Sequence, residues 1–292
     1  MMRVMHAEVV AVEDLTPALR RIVFGGPALA DYPTTGVGDE YVRVLFPIDG
    51  EERPPLPGID GDDLDYASVT GDRMRTYTIR AVDHEAGTVT IDFVVHEGGL
   101  AAGWARGAAV GDVIGLNTPK PLYDPPAGLE WQVLAADNAG LPAALRIVEL
   151  TPPEVATRLV LEVAAEDHKV PVPDHPRLET TWVVGGNGHA PSCLDEVVRG
   201  LPRPGGTGYV WVAGETKALR GARKHLRREL GLPASAYKAL GYWTVDAERW
   251  RERFAALDEA TKAELEAMWA EEDKDPEAIA DAYEDRLTAL GL

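Results

Sequence analysis

The chain has 292 residues, 45% of them hydrophobic and 26% charged, the profile of a globular protein with room for two ordinary domains. No apolar run approaches the ~18 residues a membrane span needs, and the start, Met1 to Val10, lacks the charged and apolar regions of a secretory leader. A net charge of −19 argues against nucleic acid, and a lone cysteine, Cys193, excludes an internal disulfide and thiolate-held metal clusters, so a reducing cytoplasm is the expected setting.

The first part of the chain reads as all-β. Short β-rich runs at 4–11, 20–24, 40–46, 75–80, 89–94 and 113–116 are separated by turns such as Gly25-Gly26-Pro27 and Gly111-Asp112. Six such strands predict a small antiparallel barrel, which hides its own edges. Between 47 and 72 lies a proline-rich acidic insertion whose carboxylates (Asp60, Asp62, Asp63, Asp65) meet no calcium-loop spacing, so a solvated loop is expected.

The run Arg75-Thr76-Tyr77-Thr78-Ile79-Arg80 stands out. On a strand it puts Arg75, Tyr77 and Ile79 on one face and Thr76, Thr78 and Arg80 on the other. An aromatic ring to stack, a guanidinium for phosphate and a hydroxyl for a heterocycle edge suit a planar, phosphate-bearing cofactor. An exposed edge strand of mixed polarity is the alternative. Some 20 residues on, His96-Glu97-Gly98-Gly99-Leu100-Ala101-Ala102-Gly103-Trp104 sets two glycines before an Ala-rich helical segment. Its first backbone N–H groups are open to a phosphate, although a ligand-free Gly-Gly turn reads the same way.

Composition shifts at 118–129, a plausible linker, and the pattern then alternates strand and helix. Strands are expected at 131–136, 158–163, 181–184, 209–213 and 239–243. Helices are expected from about Pro142, over 191–199 and over 216–230. This order predicts a parallel sheet with covering helices, a nucleotide-binding scaffold. Gly185-Gly186-Asn187-Gly188 follows a strand but lacks the dinucleotide spacing, so a plain turn is favoured over a phosphate loop. Helix 216–230 carries Lys217, Arg220, Arg223, Lys224, Arg227 and Arg228; a solvated face is the default, and docking of an acidic electron carrier or of a cofactor phosphate the minority reading. From Asp246 to Leu292 there are 15 acidic and 6 basic residues, a net of −9, on two expected helices broken at Asp275-Pro276-Glu277. No hydrolytic triad or P-loop emerges. Histidines 6, 84, 96, 168, 175, 189 and 225 show no ligand spacing, so no metal site and no acid–base catalytic residue is expected.

Four motifs, in this order and spacing, carry a resemblance: Arg75 to Arg80; Asp92-Phe93-Val94-Val95-His96; Gly99 through Trp104; and Trp211-Val212-Ala213-Gly214-Glu215. Over about residues 5–245 the chain resembles the siderophore-interacting protein family, FAD-containing ferric-siderophore reductases of the ferredoxin–NADP reductase superfamily. The resemblance implies a six-stranded antiparallel Greek-key β-barrel binding FAD over 1–125. An α/β NAD(P)-binding-like domain with a parallel sheet would follow over 126–245, then a helical extension over 246–292. It implies that Tyr77 stacks on the isoalloxazine, Thr78 bonds its N5 edge and Arg75 meets the phosphate or ribityl region. Ile79 and Arg80 complete that motif, Asp92, Val95 and His96 flank the cofactor, and Gly99, Ala101 and Ala102 with Trp104 hold the pyrophosphate turn. Arg43 and Trp243 would face the iron chelate.

The implied activity is release of iron by reduction of Fe(III) to Fe(II), with electrons from NADPH, NADH or a ferredoxin, because hard oxygen ligands hold Fe(II) far less tightly. Two departures matter. The family's usual Asp-Glu-Thr-Ala-Leu-Pro-Ala is here Asp137-Asn138-Ala139-Gly140-Leu141-Pro142-Ala143, and Tyr242-Trp243 is followed by Thr244-Val245-Asp246 in place of arginines. The second favours a neutral or cationic chelate, such as a ferric hydroxamate, over an anionic one. A general flavin or quinone-type reductase and a non-catalytic flavin- or siderophore-binding protein are the alternatives.

Overall fold

A computed structural model of the chain describes all residues except 1, 49, 70, 71, 188, 189, 203, 246 and 270–275. The Gly188 end of the glycine run, Asp246 and Asp275 therefore lie outside the described residues. In the first half, period-2 alternation sets the fold. β1 (Val4–Thr16), β2 (Leu19–Gly25) and β3 (Glu40–Leu45) are followed by a two-rung hairpin, β4 (Ile59–Asp60) and β5 (Asp63–Leu64), inside the acidic insertion. Then come β6 (Met74–Thr78), β7 (Ala81–Asp83), β8 (Thr88–Val94), helix α1 (Leu100–Gly107), β9 (Val113–Asn117) and β10 (Lys120–Pro121).

The antiparallel sheet runs β10-β3-β9-β1-β2-β8-β7, with β6 also on β3. The expected strand 75–80 is in fact two. Residues 74–78 pair with β3, the chain kinks at Ile79 and Arg80, and 81–83 pair with β8. Arg80 N–H reaches the Thr90 carbonyl at 2.8 Å, so this one segment leads from β3 to β8 in a barrel-like sheet. The inward side chains Val9, Ile22, Phe24, Val42, Val44, Ile91, Phe93, Ile114 and Leu116 form its core. β1 runs five residues beyond the expected Ala11. Its polar end is held by cross-strand neighbours of opposite charge, Glu13 facing Arg21 and Asp14 facing Arg20, a contribution that apolar alternation does not register.

The second half gives β11 (Trp131–Ala136), α2 (Leu141–Leu150), β12 (Ala156–Val163), β13 (Leu178–Val184), α3 (Leu194–Gly200), β14 (Gly208–Glu215), α4 (Thr216–Lys224) and β15 (Tyr237–Trp243). The sheet is parallel throughout in the order β13-β12-β11-β14-β15. Strand order reverses between β11 and β14, so the crevice beyond their carboxyl ends is the topological switch point. One face buries Leu134, Leu159, Leu161, Tyr209 and Trp211 under α2, with Leu19 of the barrel; the other buries Val133, Val160, Val212, Leu194 and Leu219 under α3 and α4. The expected helix 216–230 ends its α geometry at Lys224 and continues as a π-turn, 225–229.

The C-terminal segment is three helices, α5 (Ala247–Ala255), α6 (Glu259–Ala267) and α7 (Pro276–Ala289), and not two. The extra break falls where the Asp258 carboxylate accepts the Thr261 N–H, an N-cap inside the apolar stripe. α7 buries Ile279 and Leu287, and its Glu284 accepts from Arg223 at 2.9 Å. No described helix is long and apolar enough to cross a membrane.

Candidate functional site

The barrel wall at β6 is built by aromatic packing. Tyr77 lies 4.4 Å from Phe93 between ring centroids and meets Phe46 edge-on; Trp104 of α1 stacks on Phe24 and tilts over Phe46 at 5.3 Å. Burial pushes the Tyr77 phenol well above its ordinary range, so it is a neutral ring fixed by its neighbours. Thr78 is 6% exposed at the domain junction. Arg75 is held against the Asp72 carboxylate (2.8 Å) and the Met74 carbonyl, and Arg43 of β3 donates to Thr76 and lies over the Tyr41 ring at 5.6 Å.

At the start of α1, Gly98 and Gly99 have φ of 77° and 75°, the left-handed region that a side chain makes costly. Gly99 is the N-cap and brings no side-chain oxygen, which leaves the amides of the first turn, Ala101 and Ala102 among them, uncapped by any side chain. His96 is exposed; its Nδ1 meets the Glu97 carbonyl and its own carbonyl accepts from Arg106 at 2.6 Å. Val95 N–H is spent on the Ala18 carbonyl. A fixed ring, a neighbouring hydroxyl, a guanidinium and an open helix start match the donor set of a flavin dinucleotide.

Other expected cofactor contacts serve different partners here. Asp92, 1% exposed in its side chain, accepts both nitrogens of Arg21 at 2.7 and 2.8 Å and lies 3.8 Å from Arg80. Arg80 itself clamps Glu149 of α2 at 2.7 Å, and the Ile79 carbonyl accepts from Arg146 of α2 at 2.6 Å. The second half of the hexapeptide is thus bound to the other domain, while Arg75, Thr76 and Tyr77 remain on the barrel wall.

Sequence reading missed the groups that make this junction. Glu40, fully buried, accepts from Arg146 (2.6 Å), the Thr34 and Thr35 hydroxyls and the Thr35 N–H. Asp39 beside it is also fully buried and takes the Trp211 indole N–H at 2.7 Å and the Tyr242 hydroxyl at 2.6 Å. Burial raises its pKa to about 6 against those two donors. Gly38 packs so tightly on α2 that a Cβ there would lie 2.4 Å from the Ile147 nitrogen. The available signal was Gly38-Asp39-Glu40, two acids at the very start of an apolar strand.

The switch-point crevice has the opposite character. Asp137, at the end of β11, is fully buried; it accepts the Ala139 N–H at 2.9 Å and the Trp243 indole at 2.6 Å, and burial raises it to about 6. Glu162, also fully buried, accepts from Ser192 and the Cys193 N–H and is raised by burial. Its second oxygen has no partner among the described residues, and neither does Asn138 Oδ1. Glu215 caps α4 through the Ala218 N–H. Burial, with Glu162 alongside, pushes the Cys193 thiol up to about 11, which keeps it protonated. Trp243 is therefore oriented by Asp137 in this acid-lined crevice, on the opposite domain from Arg43. On α4, Arg220 lies 3.9 Å from Glu284 and Arg223 pairs with it, so the C-terminal helix covers part of that basic face.

Comparison with known proteins agrees with this layout. The family models described as siderophore-interacting FAD-binding domain and siderophore-interacting protein match residues 8–122 and 129–246. The chain is 30% identical to the ferric vibriobactin reductase ViuB of Vibrio cholerae, over 77% of this chain and 83% of that protein. Among solved structures, the siderophore-interacting protein SipS from Aeromonas hydrophila superposes with a TM-score of 0.72 at 28% identity, covering 86% of this chain and 96% of that one. A siderophore utilization protein from T. fusca gives 0.73 at 30%, covering 83% and 93%. The barrel-like domain, the parallel sheet and these matches lead to one assignment: the chain belongs to the siderophore-interacting protein family.

Proposed function

We propose that the protein is an FAD-dependent ferric-siderophore reductase that frees iron by one-electron reduction of Fe(III) to Fe(II). The observation that carries this reading is the pairing of the fixed Tyr77–Thr78 wall with the uncapped, glycine-led start of α1. FAD, when bound, supplies the exchange between hydride and single-electron chemistry. The chain's own residues do the rest. Tyr77 gives a flat neutral face, Thr78 a hydroxyl for the N5 edge, and Arg75 and the amides of Ala101 and Ala102 the anion contacts. Ile79, Arg80, Asp92, Val95, His96 and Trp104 brace that wall. No acid–base residue has to act on the iron chelate, since reduction alone weakens its oxygen ligands' hold.

Arg43 and Trp243 are the residues proposed for the chelate side. With Thr244 and Val245 where arginines would gather anions, and a net charge of −19, a neutral or cationic chelate of the hydroxamate type is favoured. The three acids of the switch-point crevice, Asp137, Glu162 and Glu215, oppose a donor's phosphates there. They favour a reduced ferredoxin over NADPH or NADH, with the cytoplasm as the site of reaction.

The test is reconstitution with FAD, anaerobic titration with NADH, NADPH and reduced ferredoxin, and trapping of Fe(II) from ferric hydroxamates and catecholates. Fe(II) release from a hydroxamate, faster with ferredoxin, is expected. A bound flavin that no donor reduces would replace this reading with a binding protein, and equal turnover of dyes and chelates with a general flavin reductase.

A further inference from the structure

The parallel sheet carries a second recess at the end opposite the crevice, where β11, β12 and β13 begin. A cavity of about 150 Å³ opens there, lined among others by Trp131 and Val133 of β11, Ala156 and Arg158 of β12, Arg177 and Pro202. We propose that this recess is a binding site for a small aromatic carboxylate, a single six-membered ring bearing one anionic group. The inference does not rest on the flavin reading. β11 alone puts roughly 20 Å between Trp131 and Asp137 of the crevice, so an occupant here competes with nothing bound there.

The walls set the size and flatness of the occupant. The Trp131 indole lies on the backbone of β14, where a Cβ at Gly208 would fall 2.0 Å from two of its ring carbons. Glycine at 208 is therefore what admits the indole to this place. Val133, Ala156 and Pro202 add apolar wall, and a cavity of about this volume takes a benzene ring. The indole N–H is buried and has no acceptor among the described residues. That is a costly omission for a group that can only donate, and a ligand oxygen is the kind of partner it lacks.

The charges set its sign. Arg158 gives Nε and Nη2 to a single oxygen of Glu179, at 3.3 and 2.8 Å, and the Glu179 side chain is 73% exposed. An exposed pair of this kind holds weakly, and two nitrogens on one oxygen leave the fork of the guanidinium unmatched. A carboxylate in the recess offers that fork two oxygens. Arg177 is anchored by one nitrogen on the Glu154 carbonyl. Arg158 and Arg177 against Glu179 leave the lining at a net +1 in a chain of −19. Acids beyond about 8 Å are screened at physiological salt. Guanidinium planes also stack on flat rings, so ring and anion are recognised by the same side chains. Donors outnumber acceptors here, which selects an anionic acceptor over an amine.

The experiment uses the full chain with para-fluorobenzoate as the probe, followed by fluorine NMR and by the indole N–H signals of the protein. The Trp131 signal, assigned by its loss in Trp131→Phe, should move saturably as the probe is added. Para-fluorobenzamide, the same ring without the charge, should bind about 10-fold more weakly. Arg158→Gln, at a side chain 33% exposed, should fold normally and weaken the probe by about 10-fold as well. Gly208→Ala should displace the indole and abolish its shift. If that variant does not fold, Arg158→Gln and the benzamide still decide the matter. No saturable response at about 10 mM probe, equal binding of the neutral ring, or an Arg158→Gln protein that binds as well as the parent overturns the site. A protein that binds the probe but takes up no flavin keeps this site and loses only the reductase reading.

Discussion

The two places where this chain could meet a phosphorylated cofactor are built on opposite electrostatics. At the barrel wall, the start of α1 is capped by a glycine and by no carboxylate, with Arg75 close by in sequence. At the parallel-sheet crevice, Asp137, Glu162 and Glu215 accept the local N–H groups that a phosphate would otherwise use. A fold in which both sites commonly bind anions here spends one on its own acids. The lesson is that the strand order 3-2-1-4-5 announces a crevice, and only its side chains say what it accepts.

The comparison first requires the two regions to be held as one body, and the largest effect is expected there. Arg146→Met strips the buried Glu40 carboxylate of its cation and should cost about 3–5 kcal/mol of unfolding free energy. Urea denaturation would measure it. Loss of cooperativity, with the barrel and sheet domain melting apart, would show that the contrast belongs to two independent bodies.

The acids of the junction and crevice give the next effect. Asp39 and Asp137 move from 3.8 to about 6 on folding, so the native state binds protons more tightly than the unfolded chain. That stability is fully present below pH ~4 and is lost as pH rises through ~6, about 3 kcal/mol for each acid. Asp63 runs the other way, lowered to about 2 mainly by Lys120, so its contribution disappears in strong acid. The thermal midpoint should therefore rise as pH falls from 8 to about 5 and drop again below about 4. Asp137→Asn should flatten the alkaline limb. A midpoint that climbs steadily to pH 8 would refute the burial reading.

On the cofactor side, Gly99→Val forces a branched side chain onto φ 75° and across the open amides. FAD affinity, read by flavin fluorescence, should fall about 10- to 100-fold, equal to ~1.4–2.7 kcal/mol. The smallest effect belongs to the crevice. Glu162→Gln removes one buried charge while keeping an acceptor for Ser192 and the Cys193 N–H, and should improve NADPH binding about fivefold by calorimetry. If the change weakened NADPH instead, the acids would be ligands and not barriers.

Most of the scaffold was legible from periodicity. The barrel strands other than 75–80 and the alternating second half lie where alternation and turn residues put them. What escaped has a common physical origin, interaction between elements distant in sequence. The kink at Ile79–Arg80 exists because 74–78 pairs with β3 and 81–83 with β8. The polar end of β1 needs β2's arginines, and the α6 cap lies inside an apolar stripe. Asp39 and Tyr242 are 203 residues apart. Within the candidate site, the aromatic and glycine residues stand out in the sequence as a pattern of types. The commitments of Arg80 to Glu149 and of Asp92 to Arg21 do not, because a cation's partner is decided by the fold.

Gly38 sets a mechanical limit on all of this. With 2.4 Å between its missing Cβ and the α2 backbone, the two domains meet there main chain to main chain. Side chains can be trimmed or rotated to retune a gap, but a contact with nothing in between has no such adjustment. Any side chain at position 38 would therefore have to push the α2 backbone away from the barrel.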